Sequence, residues 1–96
     1  MTDLPELTEE QMGRALRRSH RRRLAEGDFR DGSDIAAVRK FVGLSQVDFA
    51  AALGISVHTL RNWEQGRRRP EGPAVALLRI AVRHPKLIRE NLADAA

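Results

Sequence analysis

The stretch Ser45-Gln46-Val47-Asp48-Phe49-Ala50-Ala51-Ala52-Leu53-Gly54-Ile55-Ser56-Val57-His58-Thr59-Leu60-Arg61-Asn62-Trp63-Glu64-Gln65-Gly66 decides the fold. Ser45 and Ser56 stand where helices are capped, and each run that follows closes on a glycine, Gly54 or Gly66. A capping residue before and a glycine after marks two short helices, predicted at 46–53 and 57–65. Only Gly54-Ile55-Ser56 joins them, which makes the pair a helix-turn-helix. The physical demands of that unit are met. Ala50 is small where the helices cross, and Gly54 can take the left-handed conformation of the turn. Ile55 and Leu60 are apolar where the second helix must lock onto its neighbours. Phe49, Ala50 and Leu53 face inward on the first helix, Leu60 and Trp63 on the second. A lone tryptophan on an amphipathic helix is expected in the core.

Working outward, Ile35, Val38, Phe41 and Val42 have helical spacing and predict a helix over 34–42, capped by Ser33 or Asp34 and ended by Gly43. Beyond Gly66, a helix over 72–84 opens near Pro73 and carries Val75, Leu77, Leu78, Ile80, Ala81 and Val82. Pro85 opens a last helix to about residue 93, with Leu87, Ile88 and Leu92. No strand pattern and no repeat is present, so the fold class is all-α.

The N-terminal part reads differently. Leu4-Pro5 is extended, and a helix is expected from Thr8 to Glu26, stopping at Gly27. Thr8 and Gln11 have capping-box spacing, and Leu7 and Met12 stand at staple positions. The apolar stripe, Met12, Leu16 and Leu24 beside Ala15, is thin. Six arginines lie within Arg14–Arg23. Such a helix is expected to need a partner to fix it. The stretch Asp28-Phe29-Arg30-Asp31-Gly32-Ser33 reads as a linker. The chain thus divides into an N-terminal helical arm and linker, 1–33, and a helix-turn-helix domain, 34–96.

Composition narrows the function. With 96 residues and 10.8 kDa the chain builds one small core. It has no cysteine, which excludes disulfides and thiolate zinc sites. No run approaches the ~20 apolar residues of a membrane helix, and the N-terminus shows no secretory pattern, so a cytoplasmic location is expected. The three histidines, His20, His58 and His84, lie among arginines with no acid set for a triad, and no metalloprotease or phosphate-loop pattern occurs. No enzyme activity, metal or cofactor is expected. The net charge is +4 and the basic side is almost wholly arginine. Residues 1–33 hold 7 basic and 7 acidic groups, residues 34–96 hold 10 and 6, so the excess sits with the helix-turn-helix. Arginine forks suit phosphates.

The quoted stretch resembles the lambda Cro/repressor-like, or XRE, DNA-binding family over roughly residues 34–85. Asn62-Trp63-Glu64-Gln65-Gly66-Arg67-Arg68-Arg69-Pro70, with Gly72-Pro73-Ala74 and Leu77-Leu78-Arg79-Ile80, is similar to HigA-type antitoxins of bacterial toxin–antitoxin operons. The antitoxin domain of the MqsA type is related but carries an N-terminal zinc module. This chain has no cysteine, and its N-terminus is expected to be too short for that module. The resemblance implies a five-helix lambda-repressor-like domain with an extra N-terminal helix.

It also implies roles. The helix over 57–65 would lie in the major groove, with Val57, His58, Arg61 and Asn62 at base edges. Gln46, Ser56, Thr59, Arg67, Arg68 and Arg69 would contact phosphates. Arg39 and Glu64 occupy the positions of a structural ion pair. Leu87, Ile88 and Leu92 would build a homodimer on palindromic operator DNA, or else close the monomer core. The implied function is an antitoxin that represses its own operon and silences a RelE-like mRNA-cleaving toxin. Two other readings stand beside it: a free-standing XRE regulator without a toxin, and an interaction module using the helix-turn-helix as scaffold. For the arm, toxin docking, DNA-backbone contact and packing within its own dimer are all open.

Overall fold

The computed structural model describes residues 16–95, with the side chains described as far as residue 92. Among these residues the chain forms six helices and no strand: α1 (Arg18–Ala25), α2 (Gly32–Val42), α3 (Gln46–Leu53), α4 (Val57–Glu64), α5 (Pro73–Arg83) and α6 (Pro85–Ala95). The expected Thr8 cap, the Gln11 and Leu7–Met12 contacts and the acidic Glu6, Glu9 and Glu10 lie outside them.

The helices form where caps and apolar spacing agree. Ser45 accepts a hydrogen bond from the Asp48 N–H at 3.1 Å, and Ser56 accepts one from the Thr59 N–H at 3.0 Å. Such a cap stabilises a helix by about 1 kcal/mol. Pro73 sits in the first turn of α5, where its missing N–H costs nothing. The apolar faces meet in one core. Leu24, Ile35, Val38, Val42, Phe49, Leu60, Leu78 and Val82 are fully buried, and Trp63 and Ile88 close it. Each large side chain removed from water contributes about 1.5–3 kcal/mol.

Helix C-termini leave carbonyls without intrahelical partners. Here long side chains from the last two helices serve them. Arg79 and Arg83 of α5 both donate to the Ala25 carbonyl at the end of α1. Arg89 of α6 donates to the Val42 carbonyl at 2.8 Å, and Asn91 to the Ala52 carbonyl at 2.6 Å. The three arginines also place positive charge where the helix dipole favours it.

Two expectations are corrected at the N-terminal side. First, α2 is capped by neither Ser33 nor Asp34 but by Asp31, whose carboxylate accepts from the Ser33 N–H at 2.8 Å and from its hydroxyl. Ser33 holds the Asp31 carboxyl below its ordinary value. Asp34 cannot cap because it lies one turn in and points inward. Second, the expected helix from Thr8 does not run unbroken to Glu26: Leu16 and Arg17 are non-helical, α1 starts at Arg18, and this part is fixed on the chain's own core. Leu24 sinks fully into the common core and Leu16 packs against it, while α1 lies on α5. Its arginines are accommodated by specific contacts. Arg21 lies over the Phe41 ring, 5.0 Å from its centre.

The main fastening is Asp34, 4% exposed. Arg23 grips it with two bonds of 2.9 and 3.0 Å, His20 Nε2 lies 2.9 Å away, and the Arg30 N–H donates at 2.8 Å. Burial alone pushes this carboxyl up. The Arg23 guanidinium, the Arg30 N–H and His20 outweigh that and hold it well below the usual carboxylate range. The 28–33 stretch is therefore an ordered turn, read as a linker because Gly, Asp and Ser also make loops. At Gly32 the first turn of α2 lies against the last turn of α4. A Cβ there would stand 2.2 Å from the Glu64 carbonyl oxygen and 2.8 Å from that of Trp63.

Candidate nucleic-acid interface

The α3–turn–α4 unit is built as its sequence dictates. Gly54 takes a φ of 74°, in the left-handed region. Its N–H donates to Ala51 and that of Ile55 to Ala50, closing α3. Leu60 and Trp63 then fix α4 from beneath, leaving its opposite face outward.

On that outward face His58 and Arg61 are exposed, while Val57 and Asn62 are half-buried. Val57 packs partly against the core. The Asn62 carbonyl accepts the Arg67 N–H at 2.9 Å, which turns the chain at the helix end. Ser56 and Thr59 are engaged with each other, their hydroxyl oxygens 2.9 Å apart, as part of the α4 cap. Arg67, Arg68 and Arg69 follow α4, all exposed.

Arg39 and Glu64 form a close pair. Arg39 Nε donates to Glu64 Oε2 at 2.8 Å and Nη2 to Oε1 at 3.2 Å, with the side chains only 16% and 8% exposed. Arg39 also donates to the Leu44 carbonyl at 3.1 Å. One carboxylate thus ties α2 to the end of α4 and, through Arg39, to the α2–α3 turn. The network reaches further than the sequence revealed. Gln46 donates through Nε2 to Glu64 Oε1, and Arg61 Nε donates to Gln46 Oε1, both at 3.2 Å. Gln46 and Arg61, expected at a phosphate and at a base, are joined in one chain of hydrogen bonds. Arg61 uses only its Nε, so both terminal nitrogens remain available. The hint in sequence is slight: Arg61 and Glu64 stand three residues apart, neighbours on one side of α4.

The three apolar residues expected at a dimer interface separate. Leu87 is 56% exposed, Ile88 is buried in the chain's own core, and Leu92 is half-buried against it. Leu87, Ile80, Leu77 and Ala52 line a groove between α3, α5 and α6. The Asp34 cluster and its contacts with Arg23 and His20 were not anticipated.

The described residues hold no set of three or more His, Cys, Asp or Glu able to bind a metal ion. With no cysteine in the chain, the residues do not fit a thiolate zinc module. No described helix is long and apolar enough to cross a membrane.

Comparison with known proteins gives the following. A family model described as the antitoxin component of a bacterial toxin–antitoxin system, MqsA, matches residues 4–91. Antitoxin HigA-2 of Vibrio cholerae is 44% identical over 55 residues, covering 57% of this chain and 53% of that protein. An uncharacterised HTH-type transcriptional regulator of Escherichia coli K12, YiaG, is 34% identical over 58 residues, 60% of each chain. The chain therefore spans about half to three-fifths of the length of these relatives. Neither name is that of an enzyme. No solved structure matches significantly.

Proposed function

This chain belongs to the MqsA antitoxin family, and from that premise we propose that it acts as a HigA-like antitoxin. It binds palindromic operator DNA as a cytoplasmic homodimer, represses its own operon, and neutralises a RelE-like mRNA-cleaving toxin. The observation that carries the DNA half is the Arg39–Glu64–Gln46–Arg61 network. It fixes α4 against α2 and α3 and holds two outward polar side chains in place before any ligand arrives. Pre-positioning of this kind reduces the ordering cost of binding.

In this reading α4 enters the major groove. The terminal nitrogens of Arg61 reach guanine, Asn62 pairs with adenine in two bonds, Val57 meets a thymine methyl, and His58 faces the neighbouring base. Gln46, Ser56, Thr59 and the arginines 67–69 contact phosphates, aided by the free N–H groups at the starts of α3 and α4. Base contacts select the site, and phosphate contacts give affinity that falls steeply with salt. The groove edged by Leu87 and Ile80 supports an isologous contact between two copies, with Ile88 supporting it from within and Leu92 of the same helix joining the contact.

The test has two parts. The neighbouring small reading frame is expressed alone and with this chain, and the pair is purified. Growth arrest alone, rescue together and a stable complex are expected. In parallel, the purified chain is titrated against DNA from upstream of its own gene, where sequence-selective, salt-sensitive binding is expected. A harmless neighbour that does not bind leaves a free-standing regulator. Absence of DNA binding with toxin capture intact leaves an interaction module.

A further inference from the structure

The turn before α2 carries an arginine that nothing above assigns. Arg30 is held at both ends of its backbone. Its N–H donates to the buried Asp34 carboxylate at 2.8 Å, and its carbonyl accepts from Arg69 Nη2 at 3.2 Å. Its side chain is free of the core, 67% exposed. The fold thereby carries Arg30 to the loop that follows α4. There it shares with Arg68 and Arg69 a concavity of about 260 Å³, floored by Phe29, Ile35, Trp63 and Pro70.

The electrostatics of this hollow favour an anion. Three arginines line it against one acidic residue, Asp31, whose carboxylate is already engaged by Ser33 as the α2 cap. Among the described residues Arg30 has one ionic partner, Asp28 at 3.2 Å. Both side chains are more than half exposed, so this pair is weak and easily exchanged for a stronger anion. The walls are fastened to their neighbours. Gly32 lies against the Glu64 and Trp63 carbonyls, and Asp34 anchors the turn to α1.

We propose that Arg30, Arg68 and Arg69 form a composite clamp for DNA backbone phosphate, so that the turn between α1 and α2 belongs to the DNA-binding surface. This rests on the DNA half of the proposed function. It extends the contact from the helix-turn-helix to a residue on the N-terminal side of α2. Asp34 acts as a positioning residue, holding the Arg30 backbone, and Asp28 competes with the phosphate for the guanidinium.

The experiment uses the full chain and a random-sequence duplex of roughly 24 base pairs, because phosphate contacts do not depend on sequence. Affinity is measured across a salt series for the unmodified chain and for Arg30→Ala, Asp28→Ala, the double variant and Lys86→Ala. Lys86 is an 82% exposed lysine on α6 and controls for loss of net charge. Arg30→Ala is expected to bind about fivefold more weakly at ~0.1 M salt and to lower the slope of log affinity on log salt by about 0.9, one phosphate contact. Asp28→Ala is expected to bind about twofold more tightly, a gain that vanishes when Arg30 is also replaced. Circular dichroism checks that each variant is folded; these are exposed side chains, and the turn is held by backbone bonds. If Arg30→Ala and Lys86→Ala behave alike, or if the Asp28→Ala gain persists without Arg30, the clamp is overturned while DNA binding stands. If the unmodified chain shows no salt-dependent binding, the DNA reading falls and the clamp falls with it.

Discussion

Two carboxylates organise this molecule, and they do so for different ends. Glu64 closes the recognition unit: it takes two bonds from Arg39 and one from Gln46, and through Gln46 reaches Arg61. Asp34 closes the N-terminal fastening: it takes two bonds from Arg23, one from the Arg30 N–H, and the close approach of His20. Both are nearly dry and both are saturated. The network around Glu64 ends on the exposed Arg61, whose terminal nitrogens face outward in the proposed reading, whereas the bonds to Asp34 fasten α1 and the following turn. A buried carboxylate bound by arginine therefore says that something is being held. What it is held for follows from where the last donor points.

The contrast is broken most severely at Glu64. Replacing it with alanine leaves Arg39 buried beside no counter-charge and frees Gln46 and Arg61 together. A loss of about 3–5 kcal/mol is expected in urea unfolding, together with loss of DNA binding at temperatures where the variant remains folded. Gly32→Ala comes next, since the added methyl meets backbone rather than a yielding side chain. A cost of about 3 kcal/mol is expected in thermal or urea unfolding, with a changed environment for Trp63 seen in its fluorescence.

Asp34→Asn sharpens the comparison, because it removes charge while keeping shape. About 2 kcal/mol of stability is expected to go at neutral pH, with proteolysis first entering near α1 rather than in α4. The sign of the pH dependence follows from the lowered carboxyl. Between its folded value and its ordinary value near 3.8, the unfolded chain binds more protons than the folded one. The Asp34 contribution is complete above that ordinary value and is lost as pH falls through the lower folded one. An acid titration of stability should therefore be flatter in Asp34→Asn. The smallest effect on the fold is expected at Asn62→Ala, within about 0.5 kcal/mol of the unmodified chain. Its signature is a loss of ~1–3 kcal/mol on the specific operator with relaxed preference at one base pair, read from competition binding.

The two regions were also unequally legible. The helix-turn-helix lies within 22 consecutive residues, from Ser45 to Gly66, and each requirement is local: a cap, a small crossing residue, a glycine at the turn. Its identity therefore survives in the sequence. The Asp34 fastening joins polar residues 11 and 14 positions apart that follow no apolar period, so nothing in the spacing distinguishes them from solvated surface. Gly32, between Asp31 and Ser33, looks like an ordinary loop residue, although it is there to let two backbones touch. Ile88 illustrates a different limit. Apolar spacing says that it is buried but not by which copy of the chain, and the structure places it in its own core.

The touch at Gly32 has a mechanical meaning. A side chain can rotate away from a load, whereas a backbone pressed on a backbone cannot. With Gly32 set against the carbonyls of Trp63 and Glu64, α2 and α4 meet as a welded corner, and α1 is bolted to the same corner through Asp34. The turn between α1 and α2 is thereby clasped on both sides. Whatever angle α4 adopts, the heading of α1 is set with it, like the two arms of a bracket cut from one plate.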